Sequence, residues 1–337
     1  MEVGNRFYQK LNHLHIELPV LEQWDFKIID LESRGKVIKL ETEVGAKCLK
    51  ISTVTPQQIF RLFLVTEHLS KQGLKRIPRF IRTKYGEPYL RTDRGFYWIS
   101  DWIEGRPVNI KDQNDMVKSA RKLAEFHRAS RGFYLPGEGR ESFTDNNWGQ
   151  RFLGLASQLV DLKLKIKGPV FFKESLRIMS ERAVCAAKIL SGLDITQLRE
   201  QLKTELSFCH GAFNREHLIL GNSREIYVTG IHHWIRDIRL RDLTDLLYIC
   251  GRESQWDRQF FHKIITNYEQ IFPLLPQELY LLQGYLFFPF GYWDLLRELA
   301  QKNAGGEETK VRLESYLQQE EEKGKCLIDL SISRRQV

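Results

Sequence analysis

The sequence has few cysteines and no sign of a framework built from them. Five cysteines occur in 337 residues, an odd number without the paired spacing of disulfide or zinc motifs. This pattern argues against a disulfide-stapled secreted domain and predicts reduced thiols in an intracellular protein. The five residues are Cys48, Cys185, Cys209, Cys250 and Cys326.

The chain also lacks a long apolar run. Its most apolar stretch, Tyr280–Trp293, is too short to span a bilayer and is interrupted by Gly284, Pro289 and Gly291. The opening residues, 1–18, mix polar and apolar side chains without the basic-then-apolar order of a signal peptide. We therefore expect a protein that is neither secreted nor inserted in a membrane.

What is present is ample apolar material and an excess of positive charge. Hydrophobic residues make up 42% of the chain, enough for the cores of two domains or lobes. The net charge is +8, and cations are concentrated between Lys71 and Arg94. A solvated face is the favoured interpretation of this basic segment, and a docking surface for an acidic partner is the alternative. No nucleic-acid-binding motif accompanies it, so no nucleic acid is expected as a partner. The basic segment contains Lys75, Arg76, Arg79, Arg82, Lys84 and Arg91.

Hydrophobic periodicity divides the chain into a strand-rich part and a helical part. The first part predicts an opening helix, then strands around one amphipathic helix that Pro56 begins and Gly73 ends. Val44 and Gly45 are expected to form a hairpin turn. The predicted helices are 5–17 and 56–72, and the predicted strands are 24–30, 36–42, 46–52, 79–83, 88–92 and 96–102.

The remainder predicts helices around one strand-turn-strand segment. Together the two parts predict an α+β fold with an amino-terminal lobe over 1–103 and a helical carboxy-terminal lobe over 104–337. The predicted helices of the second lobe are 112–131, 150–166, 172–191, 195–206, 241–251, 256–271, 276–299 and 307–322, with the strand-turn-strand segment at 207–233.

The segment 207–245 has the layout of a phosphotransferase catalytic segment without its reactive residues. In kinases of the aminoglycoside phosphotransferase type the pattern is a histidine, then an aspartate base, a metal-binding asparagine and, after a hairpin, a metal-binding aspartate. Aligned with this pattern, His210 takes the leading position and Ala212 the position of the base. His217 and Gly230 take the two metal-binding positions.

These replacements remove the chemistry of phosphoryl transfer. An alanine methyl group cannot accept the proton of the acceptor hydroxyl, and losing a general base costs about 10²–10⁴-fold in rate. Gly230 has no side chain, and Mg²⁺ prefers oxygen ligands to the imidazole of His217. The segment therefore predicts a degenerate kinase with no intact catalytic residue.

Three further motifs strengthen the likeness. They are GAKCLK at Gly45–Lys50, DWIEGRP at Asp101–Pro107 and RDL at Arg241–Leu243. With these motifs in this order, the chain resembles the CotS/YsxE family of bacterial spore-coat proteins over about residues 20–325. Within that family, the resemblance is greater to the YsxE branch. The resemblance implies a bilobal fold of the protein-kinase or aminoglycoside phosphotransferase type. It also implies synthesis in the mother-cell cytoplasm, assembly onto the spore coat and other coat proteins as partners.

The resemblance assigns remnants of a nucleotide pocket to four residues. Lys50 matches the strand lysine that holds phosphates, and Glu67 is the candidate carboxylate that orients it. Asp101 and Trp102 lie where relatives contact adenine, although a tryptophan that only fills the interface is the favoured alternative. The loop Glu32–Gly35 has a single glycine and predicts a poor phosphate cradle. ATP with Mg²⁺ is therefore not favoured, and no cofactor is expected.

His210 and Asp242 are given a different role by the resemblance. In kinase-like folds the corresponding histidine and aspartate support the backbone of the catalytic loop and do not react. Two carboxylates are nearby, Asp237 and Asp245, and an alternative interpretation makes either of them a surface partner of an arginine. The candidate arginines are Arg236, Arg239 and Arg241.

A metal site is the alternative interpretation of the histidines in this segment. Imidazoles suit Zn²⁺, and four histidines are available: His210, His217, His232 and His233. The segment has no close-spaced ligand motif, however, and adjacent residues on a strand point to opposite faces. We therefore predict no metal site.

Three functions remain open from the sequence. The favoured one is a catalytically inactive, kinase-like structural or interaction component of the spore coat. The second is a small-molecule kinase that uses Glu216 or Asp237 as an atypical base. The third is an inactive kinase that still binds nucleotide through Lys50 and Glu67.

Overall fold

Strands occupy the first hundred residues of the chain and helices most of the rest. This computed structural model describes residues 2–135, 137, 148–165, 170–302 and 307–332. The helices are α1 Glu2–His13, α2 Leu18–Leu21, α3 Pro56–Lys71, α4 Gln113–Ala129, α5 Trp148–Lys165, α6 Val170–Gly192, α7 Thr196–Glu205, α8 Leu240–Glu253, α9 Arg258–Glu269, α10 Pro276–Phe287, α11 Phe290–Lys302 and α12 Glu307–Ile332. The strands are β1 Ile28–Arg34, β2 Val37–Thr42, β3 Lys47–Ser52, β4 Leu90–Thr92, β5 Gly95–Asp101, β6 Gly105–Pro107, β7 Leu218–Gly221 and β8 Ile226–Val228.

The first five strands form an antiparallel sheet in the order β1-β2-β3-β5-β4. Alternate residues of each strand point to one face, where they pack with residues of α1 and α2. Leu40, Leu49 and Ile99 are completely buried there. The burial of this apolar face explains why the register of the strands is well specified.

Two strand predictions in this sheet are wrong. The strand predicted at 24–30 begins only at Ile28, because Trp24 is buried in the core and its indole N–H donates to the carbonyl of Ile81 at 2.8 Å. The segment 79–83 is not a strand but forms one isolated bridge, between Ile81 and Ile99. Tertiary contacts override strand propensity at both places.

Helix α3 confirms the boundaries that its sequence predicts. Pro56 takes the first turn, and Thr55 caps the helix in a reciprocal capping box with Gln58. Gly73 follows the last turn with a φ of +82°, the left-handed conformation that ends many helices.

A second, three-stranded sheet has the order β6-β7-β8. The hairpin β7–β8 agrees with the predicted strand-turn-strand, whereas β6 was not predicted. β6 starts at Gly105, where a Cβ atom would lie 2.3 Å from the carbonyl oxygen of Leu220. Glycine is therefore required for β6 to approach β7.

The remaining helices pack around buried Leu, Ile, Phe and Ala side chains, with α4 against α8 and α9 and with α5 against α6. The helix predicted at 276–299 is two helices, α10 and α11. They are separate because Pro289 lacks the N–H that a continuous helix needs. The helix predicted at 150–166 is α5, and residue 166 lies outside the described residues.

Contacts divide the chain into two compact units. The first contains residues 1–108, 133–137 and 215–233, and the second contains 109–132, 138–214 and 234–337. The lobe boundary at 103 and 104 stays a prediction. In the part of the chain that the structure describes, no helix is both long enough and apolar enough to cross a membrane.

Candidate functional site

In the second unit, a buried carboxylate holds the backbone at residues 210 and 211. Asp242 lies in the first turn of α8 and is completely buried. Its Oδ2 accepts the N–H of His210 at 2.6 Å, and its Oδ1 accepts the N–H of Gly211 at 2.9 Å. Charge-assisted bonds of this kind are about twice as strong as neutral ones. Asp242 therefore determines the backbone path into residue 212.

His127 on α4 supports Asp242 from the other side. Its Nε2 lies 3.0 Å from Asp242 Oδ2, and its Nδ1 lies 2.8 Å from the hydroxyl of Tyr268. Burial lowers the pKa of His127, which favours the neutral ring. The tautomer that satisfies both bonds donates Nε2–H to Asp242 and accepts the Tyr268 hydroxyl at Nδ1.

The carboxylate of Asp242 stays ionised in this environment. Burial alone would raise its pKa, but the hydrogen bonds from His127 and from the backbone of His210 oppose burial, and the pKa lies below its usual value. We call Asp242, His127 and Tyr268 the buried brace. The sequence predicted only a helix over 112–131 and no role for His127; a histidine at helical spacing with apolar residues was the available signal.

The loop after the brace keeps an ordered shape without a reactive group at residue 212. The N–H of Ala212 donates to His210 Nδ1 at 3.3 Å, and the carbonyl of Ala212 accepts the N–H of Asn214 at 2.9 Å. The ring of His210 packs edge-on against Phe126 and Phe213. The alanine methyl group is thus held on an organised loop.

The alternative interpretation of the two neighbouring carboxylates, as surface partners of arginines, holds for one pairing but not for its exposure. Asp237 does pair with Arg241, at 3.1 Å, but it is only 3% exposed. Its other oxygen accepts the N–H of Ile238. Asp245 is half-buried and accepts the hydroxyl of Tyr285 at 3.5 Å. Burial, with the charge of Asp242, raises the pKa of Asp245 to about 6.

A buried group of possible metal ligands shares two residues with the brace. His127, Cys209 and Asp242 each place one ligand atom within 4.8 Å of the others. These atoms are already engaged, because the thiol of Cys209 donates to the carbonyls of Asp237 and Ile238, at 3.2 and 3.3 Å. A metal ion would have to displace the hydrogen bonds that hold the loop.

In the first unit, the proposed partner of Lys50 is bound to another residue. Glu67 accepts two hydrogen bonds from Arg79 Nη2, at 2.9 and 3.1 Å. Lys50 lies on β3 opposite Trp98, and within the described residues it forms no ion pair with Glu67. Only two residues, Gly35 and Lys36, join β1 to β2, which leaves little backbone to surround a phosphate.

The other two pocket remnants are also engaged within the first unit. Asp101 pairs with Lys47 at 2.6 Å. The N–H of Trp102 donates to the carbonyl of Ala46 at 3.1 Å, and the ring of Trp102 lies 5.5 Å from Lys39 Nζ. These contacts occupy the side chain of Asp101 and both the backbone N–H and the ring of Trp102.

The two metal-binding positions of the pattern, His217 and Gly230, are in direct contact. Gly230 has a φ of +71°, and a Cβ atom added to it would lie 2.5 Å from Nδ1 of His217. The imidazole therefore occupies the space that an aspartate side chain would need. Both positions lie in the first unit.

His232 and His233 do not lie on a strand, and their predicted opposite orientation is wrong. They belong to a 3₁₀ turn, Ile231–His233, in which the N–H of His233 donates to the carbonyl of Gly230 at 3.1 Å. Their ring centroids are 4.0 Å apart, and the ring of His217 lies 5.1 Å from His233 and 6.3 Å from His232. We call these three residues the histidine cluster. His210 is buried in the second unit.

Comparison with solved structures defines the class of protein. The chain is similar to an aminoglycoside phosphotransferase from Alicyclobacillus acidocaldarius subsp. acidocaldarius DSM 446, with a TM-score of 0.79 and 18% identity over 96% of this chain and 97% of that one. It is also similar to the amicoumacin kinase hAmiN, with a TM-score of 0.53 and 13% identity over 96% of each chain. These likenesses concern the fold, which is α+β, bilobal and kinase-like, as predicted.

Sequence comparison shows a similarity to spore-coat proteins. Residues 186–330 match the family model described as "Spore coat putative kinase YutH". The chain is 25% identical over 295 residues to Spore coat protein S of Bacillus subtilis (strain 168), which covers 84% of this chain and 83% of that protein. The chain is therefore similar to the CotS family of kinase-like spore-coat proteins, which confirms the predicted resemblance. The nearer likeness to YsxE stays a prediction.

The fold class implies ATP and Mg²⁺, but the residues present do not fit them. Mg²⁺ requires oxygen ligands in near-octahedral geometry. Gly230 offers no side chain, and its side-chain space is filled by the imidazole of His217. Ala212 offers no base. These positions supply neither the ligands nor the proton acceptor that phosphoryl transfer uses.

Proposed function

We propose that this chain is a catalytically inactive, kinase-like component of the spore coat that acts by binding other coat proteins. The observation that carries the proposal is the contact between His217 and Gly230. The chain has lost the metal-binding side chain at residue 230 and has also filled the vacated space with a ring. A kinase that had only an unusual ligand would leave that space open.

The retained architecture supports a role that depends on shape. Asp242 and His127 keep an ionised, fully buried network whose disruption would be costly. This network organises a loop that carries no base. An ordered loop backbone without reactive side chains is expected of a protein that binds partners and not of an enzyme.

Nucleotide binding is disfavoured by contacts within the first unit. Glu67 is bound by Arg79, and the N–H of Trp102 is bound by Ala46. Lys39 also pairs with Glu104 at 3.3 Å, which joins β2 to the segment after Trp102. A nucleotide bound as in kinases would have to break several of these contacts.

The setting of the protein is proposed from its relatives. One similar protein is named Spore coat protein S of Bacillus subtilis. We infer that this chain is made in the mother cell and joins the coat through protein partners. Two cations of the basic segment form ion pairs within the chain, Arg76 with Glu225 and Arg79 with Glu67. Lys71, Lys75 and Arg91 are among the exposed cations that remain for an acidic protein partner.

Nucleotide titration tests the inactive state. Thermal unfolding is measured with ATP, with and without Mg²⁺ or Mn²⁺, for the wild type and for Lys50→Ala. A ligand at 100 times its Kd would stabilise the fold by about 2.7 kcal/mol, and we expect no such shift. A shift that Lys50→Ala abolishes would instead establish an inactive kinase that binds nucleotide.

Turnover and location complete the test. ADP release is followed over a panel of hydroxylated acceptors, and turnover lost in Glu216→Gln would establish an enzyme with an atypical base. A fluorescently tagged chain is expected at the forming spore during sporulation. A uniform signal in vegetative cells, with none at the forming spore, would contradict the role in the coat.

A further inference from the structure

The histidine cluster brings three imidazoles together on adjoining turns of the first unit. His217 ends the 3₁₀ turn Arg215–His217, and the other two rings belong to the 3₁₀ turn Ile231–His233. The centroids are 4.0, 5.1 and 6.3 Å apart. His232 and His233 are exposed and His217 is half-buried, so the cluster is open to solvent on one side.

The backbone beneath the cluster is well ordered. The carbonyl of His217 accepts the N–H of Thr229 at 2.8 Å, immediately beyond the paired strands β7 and β8. Gly230 then turns the chain with a positive φ, and helix α3 packs against the turn that follows. A hairpin base and a helix therefore hold the backbone of the three histidines.

The spacing of the rings is close to what one tetrahedral ion requires. Zn²⁺ is bound by imidazole nitrogens at about 2.0–2.1 Å, which puts the centroids of two tetrahedrally placed rings roughly 5 Å apart. The observed separations lie on both sides of this value. The ring nitrogens of these three residues do not all lie within 4.8 Å of one another in the structure, so binding of an ion requires the exposed side chains of His232 and His233 to rotate toward His217.

The chemistry of the donors selects the ion. Neutral imidazole suits borderline divalent ions such as Zn²⁺, Cu²⁺ and Ni²⁺, whereas Mg²⁺ and Ca²⁺ require oxygen ligands. Three protein ligands would leave a fourth position for water. One of the two reasons for predicting no metal, that adjacent histidines on a strand diverge, does not hold for the 3₁₀ turn.

We propose that His217, His232 and His233 form a binding site for a borderline first-row divalent cation, in place of the Mg²⁺ site of active kinases. The site does not depend on catalysis or on nucleotide. It gives the chain an imidazole-bound cation at the base of the β7–β8 hairpin.

Calorimetric titration of the full-length, tag-free protein with Zn²⁺ tests this site. A Cys185→Ser background removes the exposed thiol as a competing ligand. We expect one Zn²⁺ per chain at pH 7.5, no competition from excess Mg²⁺, and weaker binding at pH 5.5 because imidazoles must be deprotonated to bind. The double variant His232→Gln/His233→Gln is expected to lose more affinity than the about 10–100-fold that an outer-shell change costs.

A matched control makes the result specific. His13 is an exposed histidine at the end of α1 in the same unit, and His13→Gln should leave the affinity unchanged. Thermal unfolding of the metal-free variants checks that they fold. The proposal is overturned if no Zn²⁺ binds, or if the double variant binds as tightly as the wild type, which would assign the ion to another group such as His127, Cys209 and Asp242.

Discussion

The ring of His217 lies where a side chain on Gly230 would have to go, with only 2.5 Å between its Nδ1 and an added Cβ. The two residues that the sequence analysis aligned with metal-binding positions are therefore in steric contact. A side chain cannot be introduced at residue 230 without displacing the ring of His217.

Restoring the aspartate alone is expected to destabilise the protein. Gly230→Asp would force a Cβ into the imidazole of His217 at a positive φ, where aspartate is tolerated better than most residues but still strained. Adding His217→Asn should recover part of the loss because the smaller amide clears the space. Chemical denaturation of the two single variants and the double variant should give a coupling free energy of roughly 0.5–3 kcal/mol. Strictly additive losses would contradict the contact.

Restoring the base alone is expected to produce no kinase. Ala212→Asp would supply at most about 10²–10⁴-fold of the 10⁶-fold or more that enzymes provide, and the ligands for Mg²⁺ would still be missing. ADP release by Ala212→Asp should therefore equal that of the wild type and of the control Ala212→Asn. Clear turnover by the aspartate variant alone would show that a metal site survives.

Loss of His127 is expected to weaken the fold in a pH-dependent way. His127→Gln disturbs a hydrogen bond to the ionised Asp242, and such bonds contribute about 1.5–3 kcal/mol. Because burial lowers the pKa of His127, the unfolded wild type takes up its proton near pH 6.5 while the folded protein does not. The contribution of His127 to the free energy of unfolding is therefore fully present above pH 6.5 and decreases as the pH falls below that value. Urea denaturation should show that the free energy of unfolding of the wild type exceeds that of His127→Gln by less at pH 5.5 than at pH 7.5. A larger difference at pH 5.5 would indicate a charged imidazole in the folded state.

A buried lysine on α12 is expected to make the stability of the protein depend on pH in the alkaline range. Lys323 is completely buried, 2.6 Å from Glu320, and burial lowers its pKa to about 8. Between pH 8 and about 10.4 the unfolded chain keeps this proton and the folded protein releases it, so stability from Lys323 rises with pH. The stability of the wild type relative to Lys323→Met should rise over that window. Lys325→Met, on the same helix, should show no such change because Lys325 is part-exposed and its pKa is raised.

Those parts of the fold that depend on neighbouring residues could be predicted from the sequence. The start of α3 follows from Thr55 and Pro56, and its end from Gly73, since capping and chain reversal are local effects. The start of β1 depends on Trp24 finding Ile81 across the sheet, which no local pattern reveals. The break between α10 and α11 had a local signal, Pro289, which the prediction of one helix over 276–299 did not take into account.

The candidate site divides in the same way. A motif pattern is enough to single out Ala212, His217 and Gly230 in the sequence. It cannot show that the ring of His217 fills the space at Gly230, because that depends on a positive φ and on a rotamer. The role of His127 was also hidden, because it arises only when α4 packs against α8 and brings Asp242 within 3.0 Å.

The pairing of β6 with β7 has a consequence for synthesis on the ribosome. Residues 105–107 find their partners only after residues 218–221 have been made, more than a hundred residues later. At translation rates of about 5–20 residues per second, the emerging chain waits on the order of ten seconds with this edge uncovered. A nascent chain of this protein therefore offers a chaperone a defined interval in which to bind, and a fragment that stops at residue 108 would keep that edge exposed permanently.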